Sequence, residues 1–260
     1  MKYTMRDVTA SYTPEKRKQS SLWARFFSRP LSFPLTYVFI NMGISANLMS
    51  VISMIEVLIA CAFIIVGGKF LLWGVGLYVL WHVLDCCDGN IARVTKKSSY
   101  AGEFFDAVSG YTAPAFVFIA VGVAAFKTTT VSADISYIFI IAGAAASISD
   151  ILGRLIYQKY LVTEFRLDLI KEDGNIDEER ASGAIHIVDI VIRNMTYSCA
   201  FMPLLIIAAV FSKYDLLISA FSIYNFVIML ASAAFFVRKA STLQARLDEK
   251  NKESSEKNEV

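Results

Sequence analysis

Charge is scarce in this sequence: Asp, Glu, Lys and Arg make up 18% of the 260 residues, against 56% that are hydrophobic. That balance excludes an ordinary soluble domain, whose buried helices are shorter than the apolar runs found here. The formal net charge is only +2, so nothing in the overall balance asks for a nucleic-acid partner, and none is expected. Cysteine is rare too. Cys61, Cys86, Cys87 and Cys199 fall in or at the end of apolar segments without the spacing of a disulfide framework, and are expected to be packing residues. A cleaved signal peptide is not expected, because polar residues 1–19 precede any apolar run. No internal repeat or low-complexity tract is visible.

What the sequence does have is long apolar stretches. Six are long enough to cross about 30 Å of hydrocarbon, at roughly 47–66, 70–92, 103–126, 134–157, 187–211 and 215–237. With both termini on one side, only Lys69, Lys127 and Lys213 of the 25 Lys and Arg fall on the opposite face. By the positive-inside rule this asymmetry supports the span count and places the termini in the cytoplasm. The segment SLWARFFSRPLSFPLTYVFINMG mixes aromatic residues with Arg25 and Arg29 and suits an amphipathic helix lying in the headgroup layer, with Pro30 and Pro34 expected to interrupt it. A seventh span at 31–46 is the competing reading, and it would spoil the charge asymmetry.

The expected fold is therefore an all-α polytopic membrane protein with six transmembrane helices and an N-terminal interfacial amphipathic helix. Its organisation is a cytoplasmic and interfacial segment at 1–45, a membrane domain at 46–240 and a charged cytoplasmic tail at 241–260, disordered beyond a short helix. The polar stretch KEDGNIDEERASG reads as a connecting loop.

One stretch carries chemistry. DCCDGNIARVTKKSSYAGEFFDAVSG spans residues 85 to 110 and follows an uncharged apolar run. Asp85 and Asp88, three apart on a helix, share a face, and Gly89 and Ala92 strip bulk from beside them so that a ligand can approach the backbone. After a basic turn, a second helix starting near Gly102 brings Asp106 to the same membrane face. Carboxylates at that depth pair, face a wet cavity or bind a cation. A site of hard oxygen donors with no His or Cys set favours Mg²⁺, Mn²⁺ or Ca²⁺ over zinc.

The string Asp85-x-x-Asp88-Gly89-x-x-Ala92-Arg93, then Gly102-x-x-x-Asp106, resembles the signature of the CDP-alcohol phosphotransferases, membrane enzymes of phospholipid and related polymer synthesis. GISANLMS is similar to the family's Thr-Pro-Asn turn before the first span, with Ser45 and Ala46 in place of Thr and Pro and with Asn47 kept. The resemblance implies that Asp85, Asp88 and Asp106 hold one or two divalent ions, Mg²⁺ or Mn²⁺, that grip the pyrophosphate of a CDP-linked donor. It implies that Gly89, Ala92, Gly102 and Asn47 shape the nucleotide site and that Arg93 neutralises phosphate or ties the loop. The implied reaction is attack of an alcohol hydroxyl on the donor phosphate with CMP leaving, and the implied assembly is a homodimer. The donor is expected to be CDP-diacylglycerol, and the protein is expected in the bacterial cytoplasmic membrane with its active site facing the cytoplasm. The reverse arrangement, a soluble CDP-alcohol with a lipid or glycolipid acceptor, is the alternative.

One position departs from the family. The fourth acid, metal ligand and general base, is expected four residues after Asp106, and Gly110 stands there. Asp106 and Glu103 are the remaining candidates for proton transfer, Glu103 also being a residue that suits a solvated helix start. A binding protein that retains the nucleotide site without turnover is a second reading, and a cation transporter a third.

Arg154 and Arg193, at the cytoplasmic ends of spans four and five, are candidates for an acceptor-phosphate site with Lys96 and Lys97, or else snorkel to set topology. Glu56 and Asp150 lie inside spans and need a partner or a wet cavity. His82 is expected to be a hydrogen-bonded structural residue, and His186 and Asp189 interfacial polar ones.

Overall fold

The computed structural model describes residues 2–97, 99–166 and 196–258. Among these every regular element is helical. Two short helices, α1 (Met5–Ala10) and α2 (Pro14–Gln19), lead through a π turn (Ala24–Ser28) into α3 (Arg29–Asn41). Then come α4 (Ala46–Val66), a 3₁₀ turn (Gly68–Phe70), α5 (Leu71–Thr95), α6 (Tyr100–Thr128), the single turn α7 (Ala133–Ser136) and α8 (Ile138–Arg166). After the undescribed stretch follow α9 (Phe201–Phe211) and α10 (Tyr214–Asn258).

Five of the described helices are long and apolar enough to cross a membrane, which makes the chain an integral membrane protein. They lie over Ala46–Val66, Gly68–Thr95, Tyr100–Thr128, Ala133–Thr163 and Tyr214–Thr242, close to five of the six expected spans. The sixth, at 187–211, begins outside the described residues, and its described part is α9. The loop KEDGNIDEERASG, His186, Asp189 and Arg193 also lie outside them.

Local chemistry explains where these helices start. Ser45 caps α4 by accepting a hydrogen bond from the Leu48 N–H at 3.2 Å, so Ala46 occupies the first helical position. Ser serves as a cap at least as well as Thr, and the first helical position, which favours Pro, is here filled by Ala. Ser99 caps α6 in the same way through the Gly102 N–H at 3.0 Å.

The prolines do not interrupt α3. Its 13 residues run continuously through Pro34, and the conflict at Pro30 is absorbed by the π turn ahead of it, where the Arg29 N–H bonds to the Ala24 carbonyl. A widened turn displaces the carbonyl ladder by one residue, which accommodates a ring that cannot donate. With the π turn and residues 22–23 ahead of it, α3 forms one unbroken helical stretch over 22–41, roughly 30 Å at about 1.5 Å per residue. Its polar stripe, Ser32 and Thr36, is fully buried and bonds to Asn90, so α3 is docked on α5 of the bundle. The charged tail, expected to be mostly disordered, continues α10 to Asn258.

The bundle packs α4 along α5 and α6, and α8 against α6 and α10. Its centre is aromatic: Phe201 meets Phe118 at 4.9 Å and Phe221 at 4.8 Å between ring centroids. Where α6 crosses α8 the backbones touch, because a Cβ on Gly143 would lie 2.5 Å from the Phe118 carbonyl oxygen and one on Gly122 2.6 Å from that of Phe139. Small residues at such crossings let van der Waals packing hold helices together in lipid, where the hydrophobic effect between helices is absent. All four cysteines are buried.

Candidate active site

The loop between α5 and α6 joins two helices that both pack on α4, and the three aspartates meet at that end of the bundle. One carboxylate oxygen from each of Asp85, Asp88 and Asp106 lies within 4.8 Å of the others. Asp88 and Asp106 line a cavity of about 820 Å³, and Asp85 stands one turn deeper in α5. The cavity walls also include Asn47, Gly89, Ala92, Lys97, Gly102 and Glu103, so the sequence-derived nucleotide residues other than Arg93 converge on it.

Two residues that the sequence reading passed over hold this arrangement. Ser50 on α4 donates to Asp88 Oδ2 at 2.7 Å, and the Gly89 N–H donates to Asp88 Oδ1, so the most buried of the three carboxylates is fixed by its neighbours. Ser50 belongs to a polar track with Ser53, which meets Ser109 of α6 at 3.0 Å. Serines three apart in an apolar span were the available signal. Asn90 is the second: its Nδ2 donates to Ser32 Oγ at 2.9 Å and Thr36 Oγ1 at 3.2 Å, locking α5 to α3.

The glycines have stated neighbours. A Cβ at Gly102 would meet Asn47 Oδ1 at 3.0 Å, so its absence lets the start of α6 close on the start of α4. A Cβ at Gly89 would meet Arg93 Nη1 at 3.2 Å, so the guanidinium lies back along α5 over the glycine.

Arginines gather on the α3 side. Arg29 Nη1 and Arg93 Nη2 both donate to Asn90 Oδ1, at 2.9 and 2.7 Å. Lys16 of α2 stands within electrostatic reach of both and of Asp106; burial first, then Arg29 and Arg93, lower its pKa.

At the position of the absent fourth acid, Tyr197 donates its hydroxyl to the Gly110 carbonyl at 3.1 Å. Arg154 lies beside it, its guanidinium 4.8 Å from the Tyr197 ring centroid and 5.9 Å from that of Tyr111. Arg154 is paired with Asp150 at 2.6 Å, which gives Asp150 the partner that its depth requires. Glu56 has none: both carboxyl oxygens are buried without a hydrogen bond among the described residues. His82 is buried and its Nδ1 meets Ser28 Oγ at 2.9 Å, a structural role as expected. Lys96 ends α5 in the left-handed region, and Glu103 is exposed in the first turn of α6.

The fold and the site together define a helical integral membrane protein with a carboxylate centre suited to a hard cation, opening on a ligand-sized cavity at one membrane face. Residues 43–246 match the CDP-alcohol phosphatidyltransferase family, and the chain belongs to it. Membership makes it a transferase that moves a phosphate-bearing group from a CDP-alcohol to an acceptor. No curated protein sequence matches the chain.

Proposed function

We propose that the chain transfers a phosphatidyl group from CDP-diacylglycerol to the hydroxyl of a polar alcohol, releasing CMP, at the cytoplasmic face of a bacterial inner membrane. The observation that supports this reading best is the meeting of three motif carboxylates within 4.8 Å, two of them lining a cavity of about 820 Å³. The cavity lies at the end of the bundle where a lipid-borne donor and a soluble acceptor can both arrive. A soluble CDP-alcohol with a lipid acceptor uses the same site with the roles exchanged.

The donor set among the described residues fits Mg²⁺ or Mn²⁺: three carboxylates grouped with no thiolate or imidazole, with Asp88 held by donors that leave its charge available. Asp85, Asp88 and Asp106 would hold one or two such ions, which orient the pyrophosphate and offset its developing charge. In the reaction the acceptor oxygen forms a bond to the donor phosphorus, and the bond from that phosphorus to the CMP oxygen breaks with its electron pair. The hydroxyl proton passes to a carboxylate, for which Asp106 and the cavity-lining Glu103 are the candidates on α6. Asn47, Gly89, Ala92 and Gly102 form the wall against which cytidine sits, and Arg93 offsets phosphate charge. Arg154, with Arg193, is the proposed contact for an acceptor phosphate. A homodimer has room on α8 and α10, whose spans are only 28% and 11% buried within one chain.

CMP release by purified protein tests this, with Mg²⁺ or Mn²⁺ and panels pairing CDP-diacylglycerol with polar alcohols, and CDP-alcohols with lipid acceptors. Asp88→Asn is expected to lower turnover by about a thousandfold or more, since charge stabilisation by a bound metal contributes several kcal/mol. Turnover that survives chelation and Asp88→Asn would sink the reading. Metal-dependent binding without CMP release in either panel would instead favour a nucleotide-binding protein, the reading to which Gly110 lends weight.

A further inference from the structure

The N-terminal segment, residues 2–41, lies outside the part of the chain that matches the family, residues 43–246, yet it is built into the site. Its start is tied to the end of α3, where Asn41 Oδ1 accepts from the Lys2 and Tyr3 N–H groups at 3.0 and 3.2 Å. Val8 is fully buried, and the Tyr12 ring lies 6.1 Å from Phe33 and 5.5 Å from the Arg29 guanidinium. This docking brings two cations, Lys16 and Arg29, to the one the motif already supplies, Arg93.

The grouping is unfavourable by itself. Two guanidinium groups converge on a single amide oxygen, Asn90 Oδ1, and Lys16 interacts repulsively with both. The Nε atoms of Arg29 and Arg93 are buried without a hydrogen-bond partner, and neither arginine nor Lys16 makes a carboxylate contact within ion-pair distance among the described residues. Holding α3 to α5 does not require them, since Asn90 already bonds to Ser32 and Thr36. Asp106 interacts favourably with all three, but three carboxylates committed to one divalent cation leave a single negative charge against three positive ones, and committed to two cations they leave none. Positive charges left without a counter-charge, with guanidinium donors unspent, are complementary to an oxyanion that accepts from several N–H groups at once.

We propose that Lys16 and Arg29, delivered by the N-terminal segment, bind together with Arg93 a phosphate group of the ligand on the α3 side of α5. The proposal rests on the transferase reading and adds to it two ligand-contacting residues and a role for the segment that carries them. The phosphate belongs either to the cytidine nucleotide or to the headgroup of the lipid-borne substrate. Both present the same tetrahedral anion.

The test measures equilibrium binding of CMP and of CDP-diacylglycerol to full-length protein in detergent with Mg²⁺, for wild type, Lys16→Gln, Arg29→Gln, Arg29→Lys and Asp88→Asn. Each Gln variant is expected to weaken binding about 10- to 100-fold, the loss of one charge-assisted contact. Arg29→Lys, which keeps the charge but not the fork, is expected to recover part of that loss. Weakening of both ligands assigns the phosphate to the nucleotide, and weakening of CDP-diacylglycerol alone assigns it to the lipid headgroup; each supports the proposal. Thermal unfolding accompanies the binding, because Arg29 also donates to Asn90, and if Arg29→Gln unfolds early, Lys16→Gln on the surface helix α2 decides. Binding of both ligands within about twofold of wild type in a folded Lys16→Gln protein, with Asp88→Asn impaired, overturns this proposal alone. Wild-type protein that binds neither ligand in the presence of Mg²⁺ overturns the transferase reading and this proposal with it.

Discussion

Gly110 stands where a general base is expected, and its surroundings show what an acid there would meet. A Cβ at this position has only the Tyr197 hydroxyl near it, at 4.0 Å, so an aspartate side chain can be accommodated. Since a positioned base contributes about 10²- to 10⁴-fold in rate, Gly110→Asp is expected to raise kcat by about 10²-fold or more if the native site turns over without one. Glu103→Ala measured beside it separates the cases: a matching loss in wild type assigns Glu103 the proton, and an unchanged kcat leaves it to Asp106. The acids themselves were legible in the sequence because their spacing matches helical geometry. Ser50, Asn90 and Tyr197 were not, because each acts across a helix contact, on Asp88, on α3 and on Gly110 respectively. No local pattern records which faces meet.

At the scale of the helix, the crossing of α6 and α8 sets how closely the span bearing Asp106 is held. With a Cβ on Gly143 only 2.5 Å from a backbone oxygen, and no flexible side-chain end to give way, the helices must separate to admit any larger residue. Gly143→Val is expected to destabilise the folded protein by about 1 to 3 kcal/mol, as overpacking does elsewhere, read as a lower unfolding temperature in detergent. Gly153, in the same helix, has only the Met229 Cα near its Cβ position, at 4.0 Å, so Gly153→Ala is the control expected not to lower that temperature. Hydropathy located five of the six expected spans to within a few residues because the bilayer thickness dictates their length. It missed the continuity of α3, since proline is read as a breaker wherever the π turn that accommodates it cannot be seen.

For the whole molecule, the cavity and the helix ends that carry Lys69, Lys127 and Lys213 lie at opposite ends of the bundle. The 3₁₀ turn, the end of α6 and the start of α10 lie a full span from Asp88, and Lys127 Nζ closes the end of α4 through the Ile65 carbonyl at 2.6 Å. The proposed orientation puts those three lysines outside the cytoplasm. Lys69→Cys and Lys213→Cys are expected to react with a membrane-impermeant maleimide in intact cells, and Lys18→Cys on α2 only after permeabilisation. The reversed pattern would place the active site on the other face and exclude a cytoplasmic nucleotide as its donor.

Sequence alone determined the solvent of this protein, its helical class and the identity of its carboxylate centre. Apolar run length reports directly on bilayer thickness, and residues three or four apart on a helix share a face whatever packs against them. Tertiary structure decided how Asp88 is held, what stands beside Gly110, how closely α6 approaches α8, and that an N-terminal segment beyond the family match brings Lys16 and Arg29 to the site. Those are contacts between residues far apart in the chain. Their existence depends on which helix faces meet, and that is fixed by the packing of the entire bundle.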